Sequence, residues 1–216
     1  MSFSSLRSNC QMQVATYDES GKLLSRRSIG DKKHRIRHLE VRPGSDGEPF
    51  VLGTYNSACL DLTEGLFAGS LDRLQDLRYH SIAALQGYQA SLSEKKRRRL
   101  QLRKERGKPG EVRQRAIFHV PVSGLNGFLA ATEFYNVQSV TRTMPQPEVP
   151  APSGSSLYFS EFKVWRILLT ELDPEGNVTH DRLFKLEGDA FRGLYPQSAF
   201  LFKEEEFYAF LPEETG

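Results

Sequence analysis

The spacing of apolar residues switches period along this chain, and each switch predicts a different element. From Met12 to Tyr17 apolar and polar positions alternate, Asp18-Glu19-Ser20-Gly21-Lys22 supplies turn chemistry, and Leu23-Leu24 resumes the apolar pattern, which predicts a β-hairpin. A second hairpin is predicted where Lys163 to Leu169 runs into Asp173-Pro174-Glu175-Gly176-Asn177 and then Val178 to Leu186. Both turns end in a glycine, which takes positive φ at little cost, followed by Lys or Asn. Only the turns match, and no fixed period extends beyond them, so the similarity needs no internal repeat.

Between the hairpins, Leu71, Leu74, Leu77, Ile82, Leu85, Tyr88 and Leu92 recur at near-helical intervals, with Ser70 placed to cap and Asp72 in the positive first turn. The spacing predicts a long helix whose apolar stripe packs on a sheet. Helix-forming Lys, Arg, Leu, Gln and Glu carry it to Arg106, and Gly107-Lys108-Pro109-Gly110 stops it. Pro43 to Pro49 predicts a loop between strands, and Pro145 to Ser156 a semi-rigid, then flexible connector. The fold class expected is α+β: a mainly antiparallel β-sheet packed by one long central helix with a basic C-terminal extension. Residues 1–216 are expected to form a single α+β domain with a Pro-rich surface loop at 144–156. The alternative, a split into 1–143 and 157–216, leaves a second unit of about 60 residues with a small core.

Composition adds little to this picture and charge adds much. The 216 residues are 38% apolar and 26% charged, ordinary for a folded globular chain. No stretch approaches the roughly 20 apolar residues of a membrane helix, and Met1 to Arg7 lacks the pattern of a signal peptide, so no membrane partner and a cytoplasmic or otherwise intracellular location are expected. Cys10 and Cys59 have no Cys-x-x-Cys or Cys/His companions and read as buried free thiols. The net charge of only +2 conceals a strong sorting: residues 94–115 carry eleven cations against three anions and residues 22–42 eight against two, which leaves the rest of the chain twelve negative. Two basic blocks on an acidic body give a local field attractive to polyanions.

The candidate contact residues are therefore Lys95, Lys96, Arg97, Arg98, Arg99, Arg103, Lys104 and Arg106 in the second block, and Arg26, Arg27, Lys32, Lys33, Arg35 and Arg37 in the first. A helical Lys95–Arg106 segment distributes its cations around most of its circumference. The negative C-terminal dipole of a helix accounts for two or three cations, not nine among residues 94–108. If residues 34–42 form a strand, Arg35 and Arg37 share one face with Leu39 and Val41, and His34, Ile36, His38 and Glu40 share the other. Phe118, Phe128, Phe134, Tyr135, Tyr158, Phe159, Phe162 and Trp165 are the aromatics that could stack on bases, although aromatics in apolar strands usually belong to the core. Ser123-Gly124-Leu125-Asn126-Gly127 has the Gly-x-x-Gly spacing of the KH clamp loop, but a strand precedes it and nothing cationic intervenes, so it reads as a glycine turn.

No nucleophile elbow, phosphate loop or dinucleotide turn is present, which disfavours standard nucleotide hydrolysis and dinucleotide redox chemistry. His34 and His38 are four apart, but the surrounding alternation argues strand rather than a metal-binding helix, and no metal or cofactor is expected. The expected role is a non-catalytic nucleic-acid-associated protein, an RNA-binding accessory subunit of a ribonucleoprotein complex, with RNA ahead of DNA and other protein subunits as neighbours. The alternative is a viral or host assembly component whose basic helix docks on an acidic protein surface. A third reading is a metal-independent ribonuclease in which His34 and His38 shuttle a proton and Lys33 stabilises the phosphorane.

Overall fold

The computed structural model of the chain describes residues 2–6, 11–44, 47–58, 60–106, 114–119, 121–124, 127–143, 156–186, 199–203 and 206–210. Cys10, Cys59, the predicted helix stop at 107–110 and residues 144–155 of the Pro-rich loop lie outside them. Strands β1 (Ser2–Leu6), β2 (Gln11–Tyr17) and β3 (Leu23–Ile29) form one antiparallel sheet. A second contains β4 (Arg35–Pro43), β5 (Pro49–Asn56), β6 (Gly65–Ser70) and β7 (Arg78–Ser81), in that order. Helices α1 (Gln86–Ala90) and α2 (Glu94–Glu105) follow. The third sheet is built from β8 (Arg115–Phe118), β9 (Val122–Gly124), β10 (Gly127–Thr143), β11 (Ser156–Leu172) and β12 (Val178–Lys185), with β10 paired to β8, β9 and β11. A hairpin of β13 (Ala199–Lys203) and β14 (Glu206–Phe210) ends the described chain.

The second sheet is the middle layer. In β5 and β6 successive side chains point to opposite faces, and both faces are buried. Val51, Tyr55 and Phe67 meet Val14 and Ile29 of the first sheet, with Ile36, Leu71 and Leu77. Phe50, Leu52, Leu66 and Ala68 meet Phe128, Ala130, Phe134, Leu168 and Leu172 of the third sheet. Burial on both sides is why Phe50-Val51-Leu52 reads as an apolar run rather than an alternation.

The long central helix does not exist: the described chain is mostly antiparallel β-sheet, and its two α-helices are short. The near-helical spacing from Leu71 to Leu92 arises differently. Leu71, Leu74 and Leu77 belong to the core against the first sheet, whereas Ile82, Leu85, Tyr88 and Leu92 belong to the core against the third. Between them the chain runs along the edge of the middle sheet as β7, so one periodic series serves two separate cores. The five-residue step from Leu77 to Ile82 is where it crosses. Only α2 keeps the helical basic segment that the sequence predicts.

Both predicted hairpins form, and their turns use the same chemistry. Asp18 Oδ1 accepts from the N–H groups of Ser20 and Lys22, and Asp173 Oδ1 accepts from the Asn177 N–H, while Gly21 and Gly176 take φ values of 81° and 84°. The second hairpin also locks the layers together. His80 Nε2 lies 2.7 Å from the Gly176 carbonyl oxygen, and a Cβ at Gly176 would stand 2.7 Å from the Ala68 carbonyl oxygen, so the turn sits flush on the middle sheet. Asp181 on β12 accepts from the N–H of Gln86 at 3.0 Å and of Gly87 at 2.6 Å, capping α1 from a distant strand.

A methyl group at Gly87 would stand 2.7 Å from Asp181 Oδ2 and 2.8 Å from its carbonyl oxygen. Gly87→Ala should therefore cost about 1–3 kcal/mol through displaced backbone, and Asp181→Ala about 1–2 kcal/mol through orphaned donors. Chemical denaturation checks both. Wild-type midpoints for the two variants would contradict the cross-layer cap.

Candidate nucleic-acid interface

The first basic block folds into β3, the turn that follows it and β4, the edge strand of the middle sheet. Its faces are not those of a regular strand, because the register shifts between Ile36 and His38 and leaves Arg37 as the bulged residue. Ile36, Leu39 and Val41 consequently pack on the core against the first sheet. His38, paired opposite Thr54, takes the other face and lies 5.3 Å, ring to ring, from Phe118. The expectation that Arg35 and Arg37 flank Leu39 and Val41 on one regular face is corrected by this bulge.

Several arginines of the block are paired with carboxylates. Arg37 Nη2 lies 3.1 Å from Asp61 Oδ1, and Arg27 donates to the Asp72 carbonyl oxygen at 3.2 Å with its carboxylate 3.9 Å away. His38 and Arg42 bracket Glu40 at 3.1 and 3.7 Å. Arg35 is half-buried and also has a partner. Lys32 and Lys33 on the turn, and Arg26 on β3, are exposed, and among the described residues no carboxylate lies within ion-pair distance of them. Asp61 and Asp72, the acids that cancel two of the arginines, lie 24 and 45 residues away in sequence, so their role had no local signal.

His34 is held by a small aromatic box. Its ring stacks on Tyr79 at 3.9 Å and meets Tyr55 edge-on at 5.0 Å, and its Nδ1 lies 3.2 Å from an Asp31 carboxylate oxygen. Gly65 makes the room, since a Cβ there would strike the Tyr55 ring. Burial opposes ionisation of Asp31, but the Lys33 N–H and the imidazole and N–H of His34 outweigh it and hold the carboxyl below its ordinary value. His34 and His38 thus occupy opposite faces of the middle sheet, and a proton shuttle or metal site shared between them has no geometric basis. Among the described residues no group of three or more His, Cys, Asp or Glu side chains could hold a metal.

The second block is different in kind. Helix α2 exposes Lys95, Lys96, Arg97, Arg98 and Arg99, with Arg106 just beyond its end, and no ion pair among the described residues engages any of them. Arg103 is half-buried and partnered, and the Lys104 side chain lies outside the described residues. Glu94 sits in the first turn, where a carboxylate complements the helix dipole. The aromatic candidates are elsewhere. Phe118, Phe128, Phe134 and Tyr135 are buried, and the Trp165 ring is covered by the Arg166 guanidinium at 4.0 Å. Phe162 is half-buried beside Tyr135, and the side chains of Tyr158 and Phe159 lie outside the described residues.

A buried pair that sequence reasoning missed joins His119 to Glu133: Nε2 and Oε1 are 3.0 Å apart, with Glu133 0% and His119 10% exposed. It depends on the β8–β10 register, which no local pattern announces. No helix among the described residues is long and apolar enough to cross a membrane.

Burial pushes the phenols of Tyr55 and Tyr79 up to about 12, Tyr55 also through the Glu64 charge and Tyr79 through that of Asp31. Because these folded values stand above the unfolded value near 10, their contribution to stability is complete below pH 10 and is lost as pH climbs from about 10 to about 12. Tyr79→Phe should flatten that alkaline decline, followed by denaturation at several pH values. Titration of all eight tyrosines near pH 10 in the native chain, read by tyrosinate absorbance, would refute the assignment.

Comparison with known proteins yields no family model that matches the chain, and no curated protein and no solved structure matches it.

Proposed function

We propose that the protein is a non-catalytic nucleic-acid-associated factor, an RNA-binding accessory subunit of an intracellular ribonucleoprotein complex, that contacts phosphates through α2. The supporting observation is the contrast between the two basic blocks: the arginines of β3 and β4 are largely neutralised by neighbouring carboxylates, whereas Lys95 to Arg99 face solvent without ion pairs among the described residues. An exposed, uncompensated run projecting from an otherwise acidic chain retains its field. Lys32, Lys33 and Arg26 are the auxiliary contacts; Arg27 and Arg37 are structural, held by Asp72 and Asp61.

Replacing Lys95 to Arg99 by glutamine should weaken binding to labelled RNA across sequences. Every phosphate left without its cation should reduce the salt slope by about 0.7 on a single strand and about 0.9 on a duplex. Arg37→Gln should leave that slope unchanged while lowering stability by about 1 kcal/mol or less. Equal affinity of the five-fold variant and the wild type at low salt would sink the proposal.

One observation favours the reading as a protein assembly component. Strands β10 and β11 pair from Phe128↔Leu172 to Thr143↔Ser156, but β8 leaves β10 at Tyr135 and β12 leaves β11 at Arg166. Beyond those points a two-stranded ribbon continues with both edges unpaired among the described residues, and such ribbons are marginal alone. This reading expects a protein complex that survives nuclease treatment. Its dissolution by nuclease would count against it.

A further inference from the structure

The charge of α2 works against its own helix. Of its 12 residues only Leu100 and Leu102 are apolar; Leu100 packs on the core, and Leu102 is 44% exposed. Lys95 to Arg99 are all exposed. At about 100° per residue these side chains point in all directions around the axis, so the first turns of α2 stand in water around their circumference. Residues three and four apart are neighbours on a helix, and like charges at that spacing destabilise it. Within the run this sets Lys95 against Arg98 and Arg99, and Lys96 against Arg99. Glu94 offsets part of the repulsion, since it lies three and four residues before Arg97 and Arg98 and in the positive first turn. Helices of this length are marginal in water even with favourable sequences, and segments with few buried apolar contacts open at low cost.

We infer that the helix of α2 is completed by the polyanion it contacts: phosphates lying among Lys95, Lys96, Arg98 and Arg99 replace their mutual repulsion by attraction, so that binding and ordering of the helix are one event. The inference rests on the nucleic-acid reading above and adds to it the state of the helix. In the free chain α2 opens and recloses while the sheets stay closed. The coupling is reciprocal, so a change that stabilises α2 in the free chain lowers the ordering cost of binding. Two arginines of the run separate this effect from net charge. Arg99 takes part in two of the like-charge contacts, whereas Arg97 takes part in none and lies three residues after Glu94. Reversing the charge at either position changes the chain by the same amount, with opposite consequences for the helix. Arg99→Glu turns two repulsions into attractions and places a carboxylate four residues before Arg103, while Arg97→Glu sets two carboxylates three residues apart.

Hydrogen exchange of the α2 amides in the full chain, read by mass spectrometry with and without single-stranded RNA, tests the coupling. In the free wild type α2 should exchange about tenfold or more faster than β5, and saturating RNA should slow it about fivefold or more. Without RNA, Arg99→Glu should exchange about fivefold or more slowly than Arg97→Glu. That difference should shrink at about 0.5 M salt, where the Debye length falls to about 4 Å. RNA should add less protection to Arg99→Glu than to the wild type. Unchanged exchange of β5 in both variants establishes that the sheets are intact. Equal exchange of α2 in the two variants, or α2 amides as slow as those of β5 in the free wild type, would overturn the coupling and leave the nucleic-acid role standing. So would RNA that binds without slowing α2. Slowing by polyglutamate but not by RNA would overturn the assignment to phosphate in favour of an acidic protein partner, and RNA that fails to bind at low salt would remove both readings.

Discussion

The described sheets are arranged around two strands whose side chains, Pro49 and Ser70 at the ends apart, are buried on both faces. In β5 and β6 the backbone is satisfied by ladder hydrogen bonds, and the side chains above and below are buried. A sheet of this kind is stable only when both faces are covered, which is why the hairpin β2–β3 lies on one side and the β8–β12 sheet, with α1, on the other. The glycines follow from the same crowding: Gly65 yields to the Tyr55 ring, and Gly87 to the Asp181 backbone and carboxylate.

The covering layers also decide the fate of charge. A cation on a half-buried edge strand loses part of its hydration and is stable there only beside an anion, so Arg37 is found on Asp61 and Arg42 near Glu40. Such partly exposed pairs contribute about 0–1 kcal/mol each. Their larger effect is to reduce the field of the first block, where Lys32, Lys33 and Arg26 alone stay exposed without ion pairs among the candidate cations. Helix α2 packs Leu100 on the core, and its Lys95 to Arg99 stay exposed and hydrated with no ion pair among the described residues. Two segments of similar composition therefore differ in how much of their charge is compensated, and the difference is one of location.

The turns were legible in the sequence because their chemistry is local: an aspartate that accepts its own turn's N–H groups and a glycine at positive φ need nothing beyond five residues. The strands around them and the basic helix were legible for similar reasons. Residues 70–92 were not, since spacing cannot show that Leu77 and Ile82 face different cores across a sheet edge. The faces of β4 were misassigned because one bulged residue, Arg37, inverts the alternation after it. For the interface, the candidate cations could be named from composition, but Asp61 and Asp72 distinguish compensated ones from the rest, and those contacts are tertiary.

The turn that seats Gly176 against Ala68 has a consequence in time as well as in space. Its contact with His80 spans 96 residues, and the Asp181 cap on Gly87 spans 94, so the middle sheet gains its second cover only after much of the chain has been made and a long loop closed. Topologies dominated by such distant pairings fold slowly, and until closure the apolar strands Phe50 to Asn56 and Gly65 to Ser70 stand with one face bare. A chain released before residue 168 lacks the Leu168, Leu172, Gly176 and Asp181 contacts that complete this cover. Bare apolar strand faces of this kind are the surface on which incomplete chains aggregate, so the late cover is what separates a folded chain from an aggregating one.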